Sequence, residues 1–137
     1  MRSLYLSCLL GLTVTIGIGR LAAPSPPVLD VPRLMRAFED IESGGREQVR
    51  GDGGRAWGLF QFHRARWGEC GGAPSDWGRA GRAEQERVMR NAIARYLRTC
   101  PRGSSIEQQV KHAARCHNGW GKASIKYANE LWRRYGT

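Results

Sequence analysis

Two carboxylates frame a glycine-rich turn in the stretch "DIESGGREQVRGDGGRAWGLFQF", Asp40 to Phe62. Glu42 closes an apolar helical pattern, and Asp52 follows it among glycines. Paired carboxylates can divide the work of breaking a glycosidic bond. One gives a proton to the leaving oxygen; the other stabilises or captures the cationic carbon, or activates water. Such pairs stand about 5 Å apart in retaining enzymes and about 6.5 to 9.5 Å apart in inverting ones.

Glu42 lies four residues after Phe38, seven after Met35 and eleven after Val31, so it shares their stripe. Asp40 points to a different side. Burial favours the neutral acid, and the negative helix end disfavours the anion. Both raise the pKa, as a general acid requires at neutral pH. The plain reading of Glu42 is a snorkelling or capping glutamate. Asp52 would lie roughly 33 Å away along an extended chain, but Gly44, Gly45, Gly51, Gly53 and Gly54 let the chain reverse. Its plain reading is a turn aspartate in an Asp-Gly pair. Glu47 and Glu69 are rival second carboxylates.

The elements that must position these acids are mostly helical. Asp30 can cap a helix with the stripe Val31, Leu34, Met35, Phe38 and Ile41, stopped by Ser43-Gly44-Gly45. Gly51 to Gly54 signals a turn, "AWGLFQF" a short extended run, and "HRARW" a short helix. A loop containing Pro74 spans Gly71 to Gly78. The strongest helix is Ala83 to Leu97, with Val88, Met89, Ala92, Ile93, Tyr96 and Leu97 at helical spacing. Ser104 with Glu107 forms a capping-box pattern before a helix that ends at "HNGWG". A last helix is expected from about Ser124 to Tyr135, burying Ala128, Leu131 and Trp132. The fold class is mainly α (α+β), with a small extended insertion after the first helix.

The chain has 137 residues and a net charge of +10, carried mostly by arginine. Residues 1–21 read as a signal peptide or an uncleaved N-terminal membrane anchor, 22–29 as a proline-rich linker and 30–137 as one domain. An exported protein, secreted or periplasmic, is expected. A basic exported domain suits an anionic partner: a cell-wall polymer, membrane headgroups or nucleic acid; the arginines are dispersed, so no nucleic-acid motif is present. Apart from Cys8, the cysteines are Cys70, Cys100 and Cys116. Export permits a disulfide, and Cys70 could pair with either partner. No spacing suggests a metal, and no cofactor is expected.

Five aromatic residues, Trp57, Phe60, Trp67, Trp77 and Trp120, could stack on sugar or pack in the core. Trp57, nearest Asp52, is the best cleft candidate. His117 reads as a structural hydrogen-bonding residue rather than a proton shuttle.

The ordered set "IESGG", Asp52, "GLFQF", "RWGECGG", "ARYLRTC" and "ARCHNGW", from about Leu34 to Trp120, resembles the lysozyme superfamily. The likeness is nearest to invertebrate-type lysozymes and weaker to lytic transglycosylases. It implies a lysozyme-like fold that hydrolyses the β-1,4 bond of peptidoglycan between N-acetylmuramic acid and N-acetylglucosamine. Glu42 then matches the general acid and Asp52 the second carboxylate. Gln61 with Phe62, and His117 with Asn118, match pairs beside the cleft. The expected partner is peptidoglycan or a related anionic wall glycan, met by a monomer. Departures are the few cysteines, "HNGW" for H-N-G-G, and Glu69 in place of an aspartate. Two alternatives stay open: a transglycosylase using Glu42 alone, and a non-catalytic glycan-binding module.

Overall fold

The structure is a computed structural model and describes residues 27–137. The expected leader over residues 1–21, and the linker up to residue 26, lie outside the described residues. No helix among the described residues is long and apolar enough to cross a membrane.

Helix α1 spans Val31–Glu42. The Asp30 carboxylate accepts from the Arg33 N–H at 2.9 Å, and Pro32 fits the first turn, where its missing N–H costs nothing. Leu34, Met35, Ala37 and Phe38 form its buried face. Past Glu42 the chain folds back on the helix end: the Ser43 and Gly44 N–H groups both donate to the Glu39 carbonyl. Gly44 and Gly45 take φ of 60° and 81°, a region open to glycine at little cost.

Three short antiparallel strands follow in the order β1 (Arg50–Gly51), β2 (Ala56–Trp57) and β3 (Phe62–His63). Arg50 pairs with Trp57, and Trp57 with Phe62. A 3₁₀ turn over Asp52–Gly54 joins the first two. The run expected to be one extended segment is thus two strands bent around Gly58 to Gln61. Gly58 sits at φ 85° and Gln61 at φ 48°, with the Gln61 N–H donating to the Gly58 carbonyl. The glycine permits the turn that its flanking apolar residues alone would not signal.

Helix α2 spans Arg64–Glu69, α3 Arg82–Arg98, α4 Ile106–Asn118 and α5 Lys122–Gly136. Helix α3 agrees with the expected Ala83 to Leu97 to within a residue at each end. The capping box is displaced by one position from the expected Ser104 and Glu107. Ser105 and Gln108 make it, each side chain bonded to the other's backbone N–H, while the Ser104 hydroxyl donates to the Pro101 carbonyl. Gln108 serves as well as an acid at the third position, and starting at Ile106 turns that side chain toward the core.

Helix α1 packs on α3 and α5, and α4 on the same two. The core between them holds Leu34, Phe38, Val88, Met89, Ile93, Val110 and Leu131, and Trp57, Leu59, Phe60, Phe62 and Trp67 cap it from the sheet side. The mainly α class with a small sheet after the first helix is what the structure shows.

One buried amide locks the sheet to this bundle. Gln85, 1 % exposed, accepts from the Leu59 N–H at 2.7 Å and donates to the carbonyls of Ala80 and Glu47. Its oxygen lies where a Cβ at Gly58 would stand, 2.2 Å away, so only glycine fits there. Beside it Arg82 forks onto the Glu39 carboxylate at 3.0 and 3.1 Å and also holds Glu47 at 3.0 Å. These contacts tie the segment after Glu42 to α3.

Candidate active site

Glu42 is the last residue of α1, and its side chain keeps 15 % of its surface. Its neighbours come from two distant helices. The Tyr127 hydroxyl, on α5, donates a hydrogen bond to Oε1. His117, near the end of α4, holds Nε2 at 3.7 Å from the same oxygen, too far for a hydrogen bond. Oε2 has no hydrogen-bond partner among the described residues. One oxygen is therefore held by the protein, and the other has no such partner among the described residues.

Burial pushes the Glu42 carboxyl above its ordinary value; the Tyr127 hydrogen bond pulls the other way and is the smaller effect. Tyr127 is itself pushed well up, first by burial and then by the carboxylate beside it. It stays a donor at any ordinary pH.

His117 is fixed as a neutral ring. Its side chain is 6 % exposed and stands edge-on to Phe38 and Phe62. Nε2 lies 2.9 Å from the Phe60 carbonyl, which can only accept, so Nε2 carries the proton. Nδ1 then accepts from the Tyr96 hydroxyl at 3.0 Å. Burial drives the imidazole down to about 4, against a smaller opposing pull from the Phe60 bond. The expected structural role agrees with this geometry: His117 pins the β2–β3 turn to α4 and walls one side of Glu42.

Asp52 lies elsewhere in its contacts. It opens the 3₁₀ turn at φ 49°, its side chain 43 % exposed. It pairs with Arg55 at 2.7 Å and His63 at 3.3 Å and shares no hydrogen-bond partner with Glu42. The rivals are engaged as well: Glu47 with Arg82, Glu69 with Arg66 at 3.4 Å.

The aromatic and amide candidates divide sharply. Trp57 is 2 % exposed and packs edge-on against Trp67, which corrects the expectation of a cleft wall. Its place opposite Phe62 in the sheet turns both rings into the core, so Phe62 offers no face to a sugar either. Gln61 spends its amide N–H groups on the Val49 and Gly58 carbonyls and closes the turn. Asn118 ends α4 and is exposed.

Cys70, Cys100 and Cys116 are all free, so the expected disulfide is not formed among them. Among the described residues no group of three or more His, Cys, Asp or Glu side chains could hold a metal ion.

Sequence reasoning missed Tyr127. It sits one residue before Ala128 and four before Leu131, so the apolar stripe of α5 was the signal that could have found it. No family model, curated protein or solved structure matches the chain.

Proposed function

We propose that this protein cleaves the glycan strands of peptidoglycan, with Glu42 as the general acid. The observation that carries the reading is the state of Glu42. It is a carboxyl with a raised pKa at a helix end, 15 % exposed, with one oxygen held by Tyr127 and the other without a hydrogen-bond partner among the described residues. A protonated Oε2 can approach a glycosidic oxygen while Tyr127 fixes the carboxyl plane. When the proton leaves, the same hydroxyl stabilises the new carboxylate without reorganising. The ordered motifs that resemble invertebrate-type lysozymes name the bond: β-1,4, between N-acetylmuramic acid and N-acetylglucosamine.

In this reading Asp52 stabilises or captures the oxocarbenium-like carbon, or activates water. The net charge of +10 favours retention on an anionic wall. A second reading has a specific support. Asp52 is occupied by Arg55 and His63, whereas Glu42 stands as a lone, mostly buried acid, the arrangement for a lytic transglycosylase. There Glu42 acts as acid and then base, and the sugar's own hydroxyl closes an anhydro ring.

Mass analysis of ends released from purified peptidoglycan tests both. Hydrolysis gives reducing muramic acid ends and a large loss of rate in Asp52→Asn. Transglycosylation gives anhydro ends and leaves Asp52→Asn near full activity. No cleavage at all would leave the non-catalytic glycan-binding module as the better account.

A further inference from the structure

Trp120 stands apart from the group around Glu42. It is 58 % exposed, an unusual setting for an indole. Helix α4 carries two stripes. Val110, Ala113 and Ala114 are buried, and His117 extends that side toward Glu42. Gln108, Lys111, His112 and Arg115 recur at helical spacing on the opposite side. With Trp120 and Arg102 of the α3–α4 connection they line an open pocket of about 430 Å³. None of its lining residues belongs to the Glu42 site.

The charge of this pocket is one-sided. It holds Arg102, Lys111, Arg115 and His112, and no acid. Lys111 has Glu107 at 2.6 Å, outside the lining. Arg102 and Arg115 pair with no carboxylate among the described residues, in contrast to Arg82, Arg87 and Arg133. The Arg115 guanidinium lies 4.4 Å from the Trp120 ring centre, and its Nε is shielded from solvent with no hydrogen-bond partner among the described residues. His112 meets the indole edge-on at 5.6 Å, its Nε2 within hydrogen-bond reach of Thr99. Stacking orients the planar fork of Arg115 beside an exposed aromatic face.

We propose that this pocket is a second binding site, for a sugar bearing an anionic group. The saccharide ring lies on Trp120, and its phosphate or carboxylate meets Arg115 and Arg102. A guanidinium fork matches either anion through paired charge-assisted hydrogen bonds. An indole supplies flat apolar area for the ring. The site would hold the protein on an anionic glycopolymer on the side of α4 away from Glu42, and it does not depend on Glu42 being catalytic.

The test titrates the full chain with glucose 6-phosphate, glucuronate and glucose at low ionic strength, read by tryptophan fluorescence and calorimetry. At least one charged sugar binds at a single site, and glucose binds about tenfold more weakly or worse, the loss of one charge-assisted contact. Arg115→Gln and Trp120→Ala each weaken binding by a similar factor. Arg102→Gln, at an exposed position, weakens it with no change in melting temperature. Glu42→Gln binds as the wild type does. Preference for glucose 6-phosphate identifies a polyol-phosphate type of polymer, and preference for glucuronate a uronate type. Equal binding of glucose, unchanged affinity in all three pocket variants, or loss of binding in Glu42→Gln would each overturn the proposal.

Discussion

At the scale of single residues, the proposed chemistry rests on the environment of one carboxyl. Desolvation raises Glu42, and Tyr127 partly offsets it. Tyr127→Phe is therefore expected to raise the Glu42 pKa further and move the alkaline limb of the pH–rate profile upward. It should cost about 1 kcal/mol of stability for one hydrogen bond. An unmoved alkaline limb would contradict the pairing. His117 gives a second pH dependence with the opposite origin. Its ring titrates near 6.5 unfolded and at about 4 folded. The unfolded chain takes up the proton first, so stability falls as pH drops from 6.5 toward 4. The loss is bounded at about 3 kcal/mol. Glu42 opposes it: its folded pKa is raised, so stability is lost as pH rises from 4.5 through the folded value. Urea unfolding from pH 4 to 7 should show His117→Gln with a flatter acid limb than the wild type. The sequence made Glu42 legible because a helix repeats regularly, and offsets of four, seven and eleven place it on the apolar face. Tyr127 was not legible as its partner, because nothing local connects residues 85 positions apart.

At the scale of elements, the turn after Glu42 owes its position to α3 rather than to its glycines alone. Gln85 bonds Leu59, Ala80 and Glu47 from inside the protein, while Arg82 binds Glu39 and Glu47 from a half-exposed site. Replacing Gln85 by Leu leaves those buried groups unpartnered and should cost about 1–3 kcal/mol. Arg82→Ala should cost less, about 1 kcal/mol, because solvent screens its pairs. Urea midpoints check the order; a larger loss for Arg82→Ala would reverse the account. Helix positions were readable from caps and periodicity, and α1 and α3 came within a residue or so of expectation. The hairpin was less readable. "AWGLFQF" alternates poorly, and its bend at Gly58 follows from the Gln85 oxygen packed over it, a contact 27 residues away. The same bend turns Trp57 inward, so proximity to Asp52 in sequence misled the search for a sugar-stacking ring.

At the scale of the whole molecule, an apolar core between helices and sheet holds the domain, with no disulfide among the described residues. With Cys70, Cys100 and Cys116 free, thermal unfolding is expected to be the same with and without dithiothreitol. A lowered melting temperature on reduction would show a bond the account lacks. The charge excess was legible from composition, but its arrangement was not: Arg82, Arg87 and Arg133 are spent on neighbouring acids, whereas Arg102 and Arg115 line the pocket at Trp120 with no carboxylate partner among the described residues. That sorting depends on which faces of α4 and α5 are buried, which only packing decides. The central claim is that Glu42 protonates the bond that breaks. Its most direct test is digestion of purified peptidoglycan by the wild type and by Glu42→Gln, with fragment release followed and melting temperatures matched. The account predicts that Glu42→Gln keeps its fold and loses about 10²–10⁴-fold in rate, the usual contribution of a general acid. A folded Glu42→Gln protein that cleaves as fast as the wild type would contradict it.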